Sequence, residues 1–332
     1  MSLSIIIVNY KTRDLLRNCL DSLFRYTTGI PFHVTVVDND SGDGTESMIR
    51  NEYPAVNFLQ MGYNAGFARA NNAAIRQGTA TAVLLLNSDT LQSDNAIGNC
   101  YREFMSSAYM ACGVQLLNED GSPQISGNYF MKGGLNYLLP LPYMGAFLRA
   151  VALLFGAKKP NVPDAKGLVE VDWINGAFLM VRQEAIEQAG LLDEDFFLYA
   201  EEAEWCSRLK KTGKLCIFGD QHITHLQGVS ANAGFGSSGK GYFELYDRKG
   251  MQIMLSNFVR IRKQFGLGWF FFNLAVYFFT LFVFGIGLLL SKLFLSKRYS
   301  FRQWLGFVKN VFSLLGYAPK IISGKPYFYK VL

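Results

Sequence analysis

A chain of 332 residues, half of them hydrophobic, can bury one large or two ordinary cores without staples. Its five scattered cysteines lack the close pairs of a disulfide framework or a zinc site. The net charge of +6 comes largely from Lys and Arg in the last third, beside apolar segments, which favours anionic lipid over nucleic acid as partner.

A strand pattern begins almost at once, leaving no room for a secretory signal and placing the catalytic part in the cytosol. Ser4-Ile5-Ile6-Ile7-Val8 runs into Asn9-Tyr10, and His33-Val34-Thr35-Val36-Val37 into Asp38-Asn39-Asp40. Val83-Leu84-Leu85-Leu86 likewise runs into Asn87-Ser88-Asp89-Thr90. Three buried strands thus deliver polar groups at their carboxyl ends, where open α/β sheets bind ligands. Between them lie amphipathic helix patterns, the first marked by Leu15, Leu16, Cys19, Leu20 and Leu23 with Thr12 as N-cap; Ser93 would cap the helix after Asp89. This alternation over residues 1–116 predicts βαβ units and a mostly parallel sheet.

Asn64-Ala65-Gly66-Phe67-Ala68-Arg69-Ala70-Asn71-Asn72 places a glycine turn before a helix carrying Arg69 and two amides, a combination suited to phosphate oxygens. Asn87 and Asp89 occupy alternate positions and face the same way on a strand. A hard divalent cation holding a nucleotide diphosphate needs only one or two protein carboxylates. Asp38 also reads as a turn starter and Asp89 as a helix cap.

Residues 117–170 break the rhythm: a greasy stretch from Leu135 to Phe155 ends in Lys158-Lys159-Pro160, suggesting a lid, an acceptor dock or a membrane-facing flap. Regular patterns return from Val169 to Val181, around Glu184 to Ala189, and in a helix from Glu201 to Thr212. There Glu201 and Glu202 point about a third of a turn apart and cannot both address one hydroxyl. Strand-like Leu215–Phe218 and Ile223–His225 follow, with His222 and His225 on opposite faces, so at most one reaches a metal. Gly228 to Gly241 has the composition of a mobile loop.

Trp269 to Leu290 carries no charge and is long enough to cross a bilayer. Basic residues on both flanks argue for a bent or re-entrant insertion around Gly285 and Gly287 instead. Trp304, Leu305, Phe307, Val308, Val311, Phe312 and Leu315 follow the spacing of a helix lying in the interface. A buried core helix pair is the other reading of this region.

These motifs together resemble glycosyltransferase family 2, the inverting nucleotide-sugar transferases, and most closely its bacterial rhamnosyltransferase-like branch; the likeness runs from Ser4 to about Gly266. The resemblance implies an α/β GT-A fold, a Rossmann-like and mostly parallel sheet with helices on both faces, followed by apolar membrane-associating helices. It implies a catalytic domain over 1–241, split near 116 into nucleotide-sugar and acceptor halves, a connecting helix at 242–266, and a membrane-associating region at 267–332. Asn9, Tyr10, Asp38, Asn64, Gly66, Arg69, Asn72 and Ser88 would serve the nucleotide. Asp89 and His225 would hold Mn2+ or Mg2+, with Asn87 standing where the family keeps the first Asp of its Asp-x-Asp motif. Asn175, Gly176 and Glu201 would line the acceptor side, and Glu202 occupies the slot of the catalytic base.

The implied donor is a dTDP- or UDP-sugar and the implied acceptor a glycan or polyprenyl-linked molecule. The place implied is the cytoplasmic face of the bacterial inner membrane. Two other classes stay open. A dinucleotide oxidoreductase shares the βαβ start but has Asn9-Tyr10-Lys11-Thr12 where its glycine-rich turn belongs. A non-catalytic GT-A-like membrane scaffold is the reading that Asn87 and Glu202, both departures from the family pattern, leave available.

Overall fold

The computed structural model describes residues 2–154, 160–226, 235, 237, 244–293 and 299–331. Lys158, Lys159, Lys297, Arg298 and nearly all of the glycine-rich stretch 228–241 lie outside them. By chain contacts the molecule divides into two compact units: Met1–Tyr129 with Asn161–Phe197 and Glu201–Gly234, and Phe130–Pro160 with Leu198–Ala200 and Phe235–Leu332.

The first unit opens with β1 (Leu3–Asn9), α1 (Arg13–Tyr26), β2 (Phe32–Asp38), α2 (Thr45–Glu52), β3 (Asn57–Gln60), α3 (Gly66–Ile75), β4 (Ala82–Asn87) and β5 (Thr90–Leu91). It continues through α4 (Ala96–Met105), β6 (Ala111–Leu117) and β7 (Gly127–Asn128). The second unit then contributes a 3-10 segment at Lys132–Leu138 and α5 (Met144–Leu154). The chain returns to the first for β8 (Asn161–Val162), β9 (Leu168–Val171), β10 (Trp173–Ile174), β11 (Phe178–Arg182), α6 (Gln183–Ala189), α7 (Glu201–Leu209) and β12 (Leu215–His225). It ends in the second with α8 (Arg248–Phe265), α9 (Leu267–Leu293) and α10 (Phe301–Ser323).

The main sheet runs β3-β2-β1-β4-β11-β6-β12-β5, with β9 also on β12. Its first four strands are parallel and β11 enters antiparallel. Strands covered on both faces are expected to be continuous apolar runs, and Ile5, Ile6, Ile7, Val36, Leu84 and Leu85 are all essentially inaccessible. Helix α1 turns the expected stripe of Leu16, Cys19, Leu20 and Leu23 onto this core.

Two local expectations are corrected. Helix α4 starts at Ala96 with Asn95 at the N-cap position, not Ser93, and the Asn95 side chain bonds Thr28 across the fold. The two segments expected after residue 214 form the single strand β12, whose register on β6 slips between Phe218 and His222. The polar Asp220-Gln221 at that slip hid the strand's continuity.

In the second unit, α9 is unbroken through Gly285 and Gly287, so the expected bend there is absent. A Cβ at Gly287 would stand 2.7 Å from the Tyr143 ring, and one at Gly285 3.4 Å from Trp304 Nε1. These glycines serve close packing. Helix α10 opens with a Ser300–Gln303 capping box and runs back along α9: Trp304 Nε1 donates to the Leu281 carbonyl at 3.1 Å, and the rings of Phe278 and Phe312 meet at 5.8 Å. Phe258 of α8 packs edge-on against Phe270 and Tyr277 of α9. By length and composition, Leu267–Ser291 suffices to cross a membrane.

Gly66, the first residue of α3, has φ +74°, and a Cβ there would collide with the carbonyl of Phe197, which accepts the Phe67 amide proton at 2.9 Å. Gly66→Ala is therefore expected to destabilise the first unit by about 1–3 kcal/mol, read as a lower denaturation midpoint at unchanged m-value.

Candidate active site

Strand register builds the rim. Asn9 sits opposite Asp38, and Val8 opposite Asn87, so the polar ends of β1, β2 and β4 lie side by side. Asn9 is wholly buried. Its Nδ2 donates to Asp38 Oδ1 at 2.9 Å and lies 3.0 Å from Ser41 Oγ and 3.1 Å from Thr45 Oγ1. Its Oδ1 accepts from Thr12 Oγ1 at 2.8 Å, and Thr12 meets Ser88 Oγ at 3.1 Å. Thr12 does precede α1 as expected, but its hydroxyl serves this knot rather than capping the helix.

Asp38 closes the knot. Its Oδ1 also accepts from Ser41 Oγ at 2.6 Å, and its Oδ2 accepts from the Ser41 amide at 2.9 Å and Gln60 Nε2 at 3.1 Å. A carboxylate has about four acceptor sites, and internal donors fill them. A second clamp surrounds α3. Asn72 donates to the Leu192 carbonyl and accepts from its amide, and Arg69 Nε donates to the Glu194 carbonyl at 3.0 Å. Burial opposes ionisation of Glu194, yet hydrogen bonds from Asn72 and Arg76 hold its pKa below the ordinary carboxylate value. Asn39 joins the two clusters, donating to the Gly66 carbonyl and accepting from the Ala65 amide.

The residues expected at the nucleotide thus divide. Asn9, Asp38, Asn72 and Ser88 are buried framework whose side chains are engaged within the fold. Tyr10, Asn64 and Arg69 are partly exposed.

A corner suited to a cation forms where β4 and β12 end. His225 Nε2 lies 3.4 Å from Asp89 Oδ1 and 3.4 Å from the Asn87 carboxamide, with His225 and Asp89 both buried. Gln124, which sequence reasoning missed, sets this imidazole. Its Nε2 is surrounded by the carbonyls of Leu117 and His225 and by Asn118 Oδ1, so its Oε1 faces His225 Nδ1 at 3.0 Å. Since Oε1 can only accept, Nδ1 carries a proton and Nε2 is the nitrogen that faces Asp89. One carboxylate, one imidazole and a carboxamide suit Mn2+ or Mg2+ whose other positions are filled by phosphate and water. Among the described residues no group of three or more His, Cys, Asp and Glu forms a complete cage.

The carboxylates of α7 occupy the neighbouring rim. Trp205 is fully buried and donates to the Gly190 carbonyl, while Arg208 binds Glu204 with both arms and caps the carbonyls of Ala189 and Leu191. That packing fixes the helix. Glu202 is partly exposed, and its Cβ and Cγ lie 3.5 Å from where a Cβ on Gly176 would stand. The next carbonyl, that of Ala177, accepts the Asn87 amide proton at 3.1 Å, so the Asn175–Ala177 turn ties the Glu202 stem to the end of β4. Asn175 shapes this turn, donating to the Ile125 carbonyl and accepting from the Ala177 amide. Glu201 points inward, buried, with Oε2 lacking a hydrogen-bond partner among the described residues. Burial, and then the charge of Glu202, push its pKa well above the carboxylate range. The fold favours its protonated form.

The raised pKa makes the folded state bind more protons than the unfolded chain above about pH 4.3. Stability therefore falls as pH rises from there toward the folded-state pKa. Glu201→Gln removes this titration, so its melting temperature is expected to gain on the parent's between pH 5 and pH 8; parallel curves would refute the buried neutral acid.

A glycosyl transferase family 2 model matches residues 4–158. The chain is 30% identical over 214 residues to the low-salt glycan biosynthesis hexosyltransferase of Haloferax volcanii, a match covering 63% of this chain and 62% of that protein. The chain thus spans less than two thirds of that relative. It is 27% identical over 235 residues to the N-acetylglucosaminyl-diphospho-decaprenol L-rhamnosyltransferase of Mycobacterium tuberculosis, covering 65% of this chain and 73% of that protein. Its fold matches the mannosyltransferase of Pyrobaculum calidifontis solved with GDP-Man and Mn2+, with TM-score 0.51, 16% identity, and 97% and 87% of the two chains covered. The sheet with its parallel first half and strand-end rim is the GT-A fold, and its first half, residues 4–158, is similar to glycosyl transferase family 2.

Proposed function

We propose that the protein is an inverting glycosyltransferase that moves a hexosyl or deoxyhexosyl group, rhamnosyl in the leading case, from a dTDP- or UDP-sugar to a lipid-linked or surface-polysaccharide acceptor. The observation carrying this reading is the Asn175–Ala177 turn, which links the Glu202 stem to the β4 end beside Asp89 and His225. The mycobacterial relative's name, a rhamnosyltransferase of a decaprenol-linked sugar, supports the acceptor class. The apolar helix Leu267–Ser291 supports work at a membrane, in this reading on its cytoplasmic face.

In the reaction the acceptor oxygen attacks the anomeric carbon opposite the diphosphate. The new C–O bond forms as the old one breaks, and the electron pair leaves on the phosphate oxygen. The hydroxyl proton passes to the Glu202 carboxylate, whose position against Gly176 sets its reach. Burial favours the protonated form of Glu201, which keeps a second negative charge away from that carboxylate. Asp89, His225 and Asn87 would hold Mn2+ or Mg2+, which when bound supplies positive charge to the departing diphosphate. The knot around Asn9 and Asp38 holds the loops that bear on the nucleotide, and Arg69 stands at the helix start suited to phosphate.

Glu202→Gln is expected to lower kcat by about a hundredfold or more with the donor dissociation constant unchanged. Turnover at the parental rate would remove the base and favour the scaffold reading. Gln124→Ala is expected to weaken Mn2+ binding about 10–100-fold, read from the thermal stabilisation that Mn2+ gives without donor or acceptor.

A further inference from the structure

Helix α9 is apolar on the face it exposes as well as on the face it buries, where Phe270, Tyr277 and Phe284 lie. The stripe it buries includes Asn273 and Thr280, both inaccessible, while the stripe it exposes holds Phe271, Phe279, Phe282, Ile286 and Leu289, each more than half exposed. Asn273 donates to the Gly133 carbonyl and Thr280 to the Val276 carbonyl, while Asn273 Oδ1 is buried without a hydrogen-bond partner among the described residues. A helix in water keeps charged or polar residues on the face it exposes. Its partner α10 exposes Phe301, Leu305, Phe312 and Leu315 on one stripe, with Arg302, Lys309 and Lys320 recurring at helical spacing on the next.

The insert contributes to the same unit. Tyr143, just before α5, lies against Gly287 and Phe284 of α9 and meets the Tyr299 ring at 5.2 Å, and α5 exposes Phe147 and Leu153 with Arg149 between them. Charge is segregated: neither Phe130–Pro160 nor Arg248–Leu332 contains one Asp or Glu. An apolar surface rimmed only by cations matches a bilayer with anionic headgroups.

We propose that α5, α9 and α10 together form one face that seats in the plane of an anionic lipid bilayer, α9 inserting its outer stripe without crossing. This deepens the membrane association in the proposed function by naming the lipid chemistry and adding the insert helix. The packing of α9 excludes the crossing. Its buried stripe rests on α8, which carries Arg260 and Lys249, and on α10, which carries Lys309 midway. Carrying α9 through the hydrocarbon would drag those charges in with it.

The test uses the full chain and preformed vesicles, either phosphatidylcholine alone or an equimolar mixture with phosphatidylglycerol, with no donor or acceptor present. Co-sedimentation is expected with the anionic vesicles, weakened by salt, and each of Phe147→Glu and Phe282→Glu is expected to lower the affinity about tenfold or more. Both side chains are exposed, and a melting curve checks the fold; where a Glu variant melts early, the Ser variant at that position replaces it. A membrane-impermeant amine reagent added outside is expected to modify Lys325, which is exposed, in the bound protein. Equal binding to neutral vesicles, full binding by the Phe147 variant, or protection of the Lys325 site would each overturn the proposal. Loss of nucleotide-sugar binding with vesicle binding intact would count against the transferase reading alone.

Discussion

The rim of the sheet depends on one buried carboxamide. Asn9 ends β1, yet its side chain reaches Thr12 before α1, Asp38 at the end of β2, Ser41 in the following loop and Thr45 at the start of α2. Parallel strands end without a hairpin to hold them together, so the loops beyond them need some other tie. Polar groups this deep cost more unpaired than they return when paired, which makes the knot close to all-or-none. Removing Asn9 would orphan donors and acceptors in several loops at once.

The parts legible in the sequence were those with local causes. The strand ends at Asn9, Asp38 and Asn87 follow from apolar runs stopping at short polar side chains. The Asn64–Asn72 segment announced a helix start because Gly66 supplies the positive φ and the close approach to Phe197 that the turn requires. Gln124 was illegible. It sits after a turn with nothing to mark it, and its partner His225 is brought to it only by the pairing of β6 with β12. Asp38 shows the converse: its residue type and place were readable, but whether its oxygens face a ligand or the protein depended on Ser41 and Gln60, whose positions only tertiary packing sets.

The two glutamates opening α7 divide along the same line. A helix spacing shows that they diverge, and the fold decides which one meets solvent. Tyr199 and Ala200, just before them, both hold left-handed φ values of 70° and 65°, a conformation that costs non-glycine residues about 1–2 kcal/mol each. Strain of this kind persists where the surrounding packing over-determines it, and here α7 is pinned by Trp205 and Arg208. The outcome is a pair of neighbouring carboxyls in different environments: Glu202 is partly exposed, and burial raises the proton affinity of Glu201.

Segregation of charge bears on how such a site would work beside lipid. A nucleotide diphosphate sugar is a polyanion, and the surface potential of an anionic leaflet repels it within about one Debye length, roughly 8 Å at physiological salt. An enzyme whose carboxylates were spread evenly would add to that repulsion. In this chain every acid lies outside Phe130–Pro160 and Arg248–Leu332, so the segments that meet the headgroups can only neutralise them. Asp89 and Glu202 lie in the first unit, where Asp89 has His225 beside it and burial favours the protonated form of Glu201. Composition alone thus separates a region without acids from the region that holds Asp89 and Glu202, and on the proposed lipid surface the apolar outer face of α9 needs no charge of its own, because Arg302, Lys309 and Lys320 stand on its partner α10.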